Sequence, residues 1–226
     1  MSSHRTPSRP GGSSTPARYR AVLFDFDGTL THPGALDFPA LRRALGCPPG
    51  TLILEYIDAL PSAELRAEKR RILDEFETAA ARASLPNEGA EETVSRLLRE
   101  GIRVGILTRN TRASVLTSLV NFPSLKERDF GVILTRESGG RPKPSPDGVI
   151  AAASTLGVPL DSMLVVGDFV FDIAAGAAAG AATALITNGS SPPPPATASV
   201  PVMATPDYTI HRLWELLGIL GISLGR

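Results

Sequence analysis

Short apolar runs recur along this chain with helix-patterned segments between them, and no other feature constrains its fold as much. AVLF (21–24), IRVGIL (102–107), VIL (132–134), MLVV (163–166) and TALI (183–186) are near-continuous apolar stretches, the pattern of strands buried on both faces. Residues 89–100 put Val94, Leu97 and Leu98 on one face and stop at Gly101. Residues 112–120 and 147–156 read the same way, the latter stopped by Gly157. Such alternation predicts an α/β fold, a Rossmann-like open parallel sheet with helices on both faces. A chain of 226 residues has room for one such domain and an insert.

One stretch breaks the alternation. Residues 31–86 hold no strand pattern and three helical ones, over 36–45, 51–60 and 62–84. The last has Ser62 as N-cap and Ile72, Phe76 and Ala80 at i+4 spacing. An insert of this size after the first strand predicts a small α-helical cap, with residues 20–30 and 87–226 forming the α/β core. Extra helices packed on the sheet are the competing reading. Residues 174–182 are mostly Ala and Gly, which predicts a helix lying close to the sheet.

Two segments have little to bury. Residues 1–19 are rich in Ser, Pro, Gly and Arg and predict a disordered tail. Organelle targeting by this Arg/Ser-rich tail is the alternative to a cytoplasmic location, although the tail lacks an amphipathic apolar face. Residues 190–206 include four consecutive prolines and predict a stiff loop within the core domain, leaving from the active-site edge to wall one side of the entrance. Lys plus Arg and Asp plus Glu both total 23, so no global charge points to nucleic acid. No run of about 18 apolar residues exists, so no membrane span is expected. The single cysteine, Cys47, excludes an intramolecular disulfide framework. The sequence carries no signal for an oligomeric state.

Chemistry concentrates at strand ends. The first run leads into Asp25-Phe26-Asp27-Gly28-Thr29-Leu30. Two carboxylates one residue apart can serve one site, and so close a pair calls for a cation or a shared proton. Gly28 permits a sharp turn after them. With residue frequencies of about 5–9%, Asp-x-Asp-Gly-Thr-Leu arises by chance at roughly one position per million. Thr108-Arg109-Asn110 follows the second run, where a hydroxyl and backbone N–H groups can cradle an anion. Lys143 lies in Arg-Pro-Lys-Pro-Ser-Pro-Asp, stiffened by prolines on both sides. Only three of the 23 basic residues are Lys, so a lysine here suggests a need for a compact point charge. Gly167-Asp168-Phe169-Val170-Phe171-Asp172 follows the fourth run and adds two more acids at the edge where α/β sheets bind ligands. Carboxylates in that number suit Mg²⁺.

These four elements, in this order and each after a strand, resemble the haloacid dehalogenase superfamily, most closely its phosphoglycolate-phosphatase-like members with a helical cap after the first motif. The resemblance spans about residues 20–220. Pro86-x-x-Gly89 looks like the family's cap exit, and Asp207-Tyr208 with the apolar segment after it looks like the last strand and helix. The resemblance implies a Mg²⁺-dependent phosphatase acting through an aspartyl-phosphate. Asp25 would be the nucleophile and Asp27 the proton donor and acceptor, with Thr108, Arg109, Asn110 and Lys143 binding the phosphoryl group. Asp25, the Asp27 carbonyl, Asp168 and Asp172 would serve the metal. One departure is Phe169, where the family usually has a small hydroxyl residue. A true dehalogenase normally lacks the second acid, which favours a phosphatase; a phosphomutase or a regulatory binding member would need separate exclusion. The implied partner is a small phosphorylated metabolite. Arg42, Arg43 and Arg66 in the cap and Arg109 at the cradle could pair with a second anionic group or be solvated surface charges, and the resemblance to phosphoglycolate-phosphatase-like members makes phosphoglycolate the first compound to try and sugar phosphates the second.

Overall fold

The computed structural model describes residues 19–190 and 204–223. Six strands form one all-parallel sheet: β1 Ala21–Phe24, β2 Arg103–Leu107, β3 Val132–Leu134, β4 Met163–Gly167, β5 Ala182–Ile186 and β6 Tyr208–Ile210. Their order is β3-β2-β1-β4-β5-β6, so β1 lies in the interior between β2 and β4. The five apolar runs all become strands, with limits moved by no more than one residue.

Side-chain alternation along the strands builds two cores. Val22 and Phe24 of β1 and Leu164 and Val166 of β4 pack with helices α4 (Ala90–Arg99), α5 (Arg112–Val120) and α8 (Glu215–Ile219). Ala21, Leu23, Met163 and Val165 face the other way, against α6 (Asp147–Leu156) and α7 (Val170–Ala179). The Ala/Gly run has its expected effect: a Cβ on Gly176 of α7 would stand 2.6 Å from Thr183 Cγ2 and 3.1 Å from Val165 Cβ. No helix among the described residues is long and apolar enough to cross a membrane.

The insert folds as helices α1 (Phe38–Leu45), α2 (Ile53–Asp58) and α3 (Ala63–Ala83), forming a helical cap. Asp37 accepts from Ala40 N to cap α1, and Ser62 accepts from Leu65 N to cap α3. Leu41, Leu45, Cys47, Ile57 and Leu73 make a third cluster, separate from the two beside the sheet. The inward row of α3 differs from expectation. Leu73, Glu77 and Ala81 are its buried residues, whereas Ile72, Phe76 and Ala80 are only partly buried. The physical reason is that α3 packs on α1 and α2 and also on α5 of the core, so burial centres between two contacts. The cap leaves and returns side by side: Thr31 bridges Pro86, His32 N donates to Leu85 O at 2.8 Å, and Asn87 N donates to Leu30 O at 2.8 Å.

The core begins one residue earlier than the sequence suggests. Tyr19, expected as the end of the tail, is buried, with its ring edge-on to Tyr208 and the two hydroxyls 3.0 Å apart. The remainder of the tail and residues 191–203 of the Pro-rich loop lie outside the described residues.

Candidate active site

Register brings the motif residues to one edge. Phe24 of β1 pairs with Ile106 of β2 and with Val166 of β4, so the residues that follow leave the same end of the sheet. Asp25 N donates to Val166 O at 2.8 Å, which extends the pairing to the first acid. Thr108 N donates to Leu134 O at 2.9 Å, which fixes the end of β2 against β3.

Lys143 organises the acids. Its Nζ donates to Asp25 Oδ1 at 2.5 Å, Asp172 Oδ1 at 2.5 Å and Leu107 O at 2.9 Å, which uses all three of its protons. The lysine is 6% exposed. Burial alone would lower its pKa, but the charges of Asp172 and Asp25 win and hold it above the ordinary lysine range. Asp172, in the first turn of α7, also accepts from Phe169 N at 3.2 Å. Burial raises the Asp168 carboxyl, and the charges of Asp25 and Asp172 raise it further. Asp172 is likewise raised by burial, against the opposing pull of Lys143.

Asp25, Asp168 and Asp172 present carboxylate oxygens within 4.8 Å of one another. Three acids share one lysine there, so a hard cation with oxygen preference fits the set. Two glycines make the space. A Cβ on Gly28, whose φ is +76°, would lie 2.2 Å from Asp168 Oδ2, and a Cβ on Gly167 would lie 2.2 Å from Asp172 Cγ. The carboxylate of Asp27 stands outside this trio and accepts from Asn110 Nδ2 at 3.0 Å. Its pKa is pushed up to about 6, first by desolvation and then by the charge of Asp25, against the Asn110 hydrogen bond and Lys143.

Thr108 is buried, and its Oγ1 accepts from Asn110 N at 3.1 Å, closing a tight turn before α5. The Arg109 side chain goes elsewhere. Its guanidinium donates to both carboxylate oxygens of Glu55 on α2, at 2.6 and 2.8 Å, and sits 5.3 Å over the Phe171 ring. Phe169 stacks edge-on against Phe171 at 4.9 Å and stays 42% exposed, so the departure from the family pattern leaves an open aromatic ring beside Asp168.

A cleft of about 680 Å³ lies between the cap and this edge, lined by Glu55, Asp58 and Asp74 on one side and Thr108, Arg136 and Lys143 on the other. Arg136, after β3, donates to Glu77 at 2.6 and 2.8 Å and also pairs with Asp74, both on α3. Burial pushes Glu77 up to about 7, against the lowering effect of Arg136. Arg42, Arg43 and Arg66 do not line the cleft. Arg42 instead donates to Pro48 O and Thr51 O, and Arg66 to Leu60 O, because these loop carbonyls lie within reach inside the cap. Sequence reasoning missed Glu55, Asp74, Glu77 and Arg136, whose neighbours are 54 to 62 residues away in the chain.

A doubly wound sheet whose C-terminal edge gathers acids around a buried lysine, under a helical cap, places its ligand site at the strand ends. The chain belongs to the haloacid dehalogenase-like hydrolases, whose family profile matches residues 19–180. An uncharacterized hydrolase of Saccharomyces cerevisiae is 36% identical over 159 residues, covering 70% of this chain and 72% of the yeast protein. The N-acetylmuramic acid 6-phosphate phosphatase of Pseudomonas aeruginosa is 29% identical over 178 residues, covering 70% and 77%. A haloacid dehalogenase-like hydrolase from Bacteroides fragilis shares the fold with a TM-score of 0.70 at 23% identity, over 88% of this chain and 99% of that one. The protein is a hydrolase of this family.

Proposed function

We propose that this enzyme hydrolyses small-molecule phosphate monoesters with Mg²⁺ through an aspartyl-phosphate on Asp25. The observation that carries the reading is Lys143, buried and bonded at once to Asp25, Asp172 and the end of β2. A carboxylate nucleophile needs its charge held in place without being protonated, and a buried ammonium supplies that.

In the first step an Asp25 oxygen bonds to phosphorus and the bond from phosphorus to the leaving oxygen breaks. Asp27 gives that oxygen its proton. A carboxyl raised to about 6 retains a proton at near-neutral pH far more readily than an ordinary aspartate. In the second step water attacks phosphorus, Asp27 takes its proton, and the bond between Asp25 and phosphorus breaks. Thr108 and the backbone of the Arg109-Asn110 turn orient the phosphoryl oxygens, and Lys143 balances their charge. Asp25, Asp168, Asp172 and the Asp27 carbonyl would hold Mg²⁺, which supplies charge neutralisation of the phosphoryl group.

The arginines around the cleft are paired with acids of the same chain. Arg109 holds Glu55, Arg136 holds Asp74 and Glu77, Arg70 holds Asp58, and Arg141 holds Asp147. A second anionic group on the substrate would have to break one of these pairs. Uncharged polar leaving groups therefore come before phosphoglycolate in the order of compounds to try. The experiment is a screen of phosphorylated metabolites with Mg²⁺, comparing the native chain with Asp25→Asn. The variant is expected to lose activity by about 10³-fold or more while remaining folded. Equal turnover by the two chains would remove Asp25 from the chemistry.

A further inference from the structure

Two asparagines meet behind the turn that carries Asp27. Asn87 lies where the cap returns to the core and is 6% exposed. Its Nδ2 donates to Thr29 O at 2.8 Å and to Asn188 Oδ1 at 2.8 Å, while its Oδ1 accepts from Glu88 N at 2.8 Å. Asn188 follows β5, and its Nδ2 donates to Gly28 O at 2.8 Å. The two amides thus take the carbonyls of Gly28 and Thr29, the two residues directly after Asp27.

Those carbonyls need outside partners. The backbone departs from helical geometry at Asp27 (ψ 125°) and Gly28 (φ 76°), so the turn has no regular helical ladder to satisfy them. Asn188 has a φ of 52°, and among the described residues it is the one non-glycine in the left-handed region. Asparagine tolerates that region better than most residues, and such a conformation persists where its surroundings hold it. The placement of Gly28 has a double effect. It sets the direction of Asp27 on one side and leaves room for Asp168 Oδ2 on the other.

We infer that Asn87 and Asn188 are positioning residues, a two-amide clip that aims Asp27 at the leaving oxygen and ties that aim to the segment by which the cap returns. The inference rests on the reading of Asp27 as proton donor. A misaimed donor harms substrates in proportion to their need for a proton. An alkyl alkoxide needs one to leave; nitrophenolate does not. A clip that merely supported the fold would affect both esters alike.

Asn188→Gly keeps the left-handed backbone and removes the amide. Asn188→Asp keeps the shape and turns an oxygen toward Gly28 O. Both are to be compared with the native enzyme and Asp27→Asn for Mg²⁺-dependent hydrolysis of glycerol 3-phosphate and 4-nitrophenyl phosphate, with melting curves as the check on folding. Each Asn188 variant is expected to lose about tenfold or more in kcat/KM on the alkyl ester and no more than about threefold on the nitrophenyl ester, since kcat/KM reads only as far as the aspartyl-phosphate, whereas kcat also includes the water step that Asp27 serves for both esters. Asn87→Ala is expected to show the same split. Selective loss in Asp27→Asn with uniform loss, or no loss, in folded Asn188 variants overturns the clip alone. Uniform loss of kcat/KM in Asp27→Asn overturns the donor reading and the clip with it.

Discussion

Opposite charges hold this molecule in two places, at the sheet edge and across the seam between cap and core. At the edge, Lys143 and Asp172 have side chains 5% and 3% exposed. At the seam, Arg109 and Glu55 meet at 20% and 44%. Buried charges have no water to fall back on, so their geometry is the one in which every partner is present. Half-exposed pairs can trade a partner for solvent at little cost. The difference sets acids fixed at the sheet edge apart from a cap held to the core by pairs that solvent can replace.

The comparison is tested hardest at Lys143. Lys143→Met leaves Asp25 and Asp172 buried without their cation and is expected to destabilise the metal-free protein by about 3–5 kcal/mol. Denaturant unfolding in chelator would read it. A loss below about 1 kcal/mol would put the edge on a level with the seam. Next in size is the metal. Mg²⁺ at about 100 times its Kd is expected to stabilise the native enzyme by about 2.7 kcal/mol, and Asp168→Ala to erase the accompanying rise in Tm.

Glu77 lies between the two regimes, buried yet part of the seam. Its folded pKa of about 7 stands above its ordinary value of 4.5, so between those values the folded chain binds more protons than the unfolded one. Its contribution therefore falls as pH rises through that window. Glu77→Gln should flatten the fall in unfolding free energy from pH 5 to 7.5, by on the order of 1–2 kcal/mol read by denaturant unfolding. An unchanged slope would mean that Arg136 outweighs burial there. The smallest effect is expected for Arg109 and Glu55, whose double-mutant coupling should be under about 1 kcal/mol and fade with salt. A coupling as large as the loss at Lys143 would erase the distinction between edge and seam.

The strands and the acids at their ends were legible in the sequence because both signals are local. An apolar run marks each buried strand, and Asp25, Thr108 and Asp168 each follow one within a residue or two. The partners across the seam were not legible, since a glutamate on an amphipathic helix such as Glu55 looks like any solvated charge until the fold brings Arg109 to it. Glu77 was hidden further, because a buried acid interrupts the apolar row that periodicity seeks. For Asn188 a signal existed: Asn188-Gly189 after the fifth run is a turn dipeptide whose asparagine tolerates positive φ. What it bonds, 160 residues back at Gly28, no local pattern encodes.

The pairing of Thr31 with Pro86 makes the cap a modular graft. Its two ends already touch, so the sheet need not be rethreaded if the intervening chain lengthens or shrinks. For a flexible segment, doubling the length between fixed ends adds only about 0.6 kcal/mol of closure entropy. The entropy of closing the chain therefore depends little on how much polypeptide lies between residues 31 and 86, so what ties a cap of given length to the core is its own contacts, α3 on α5 and Glu77 on Arg136.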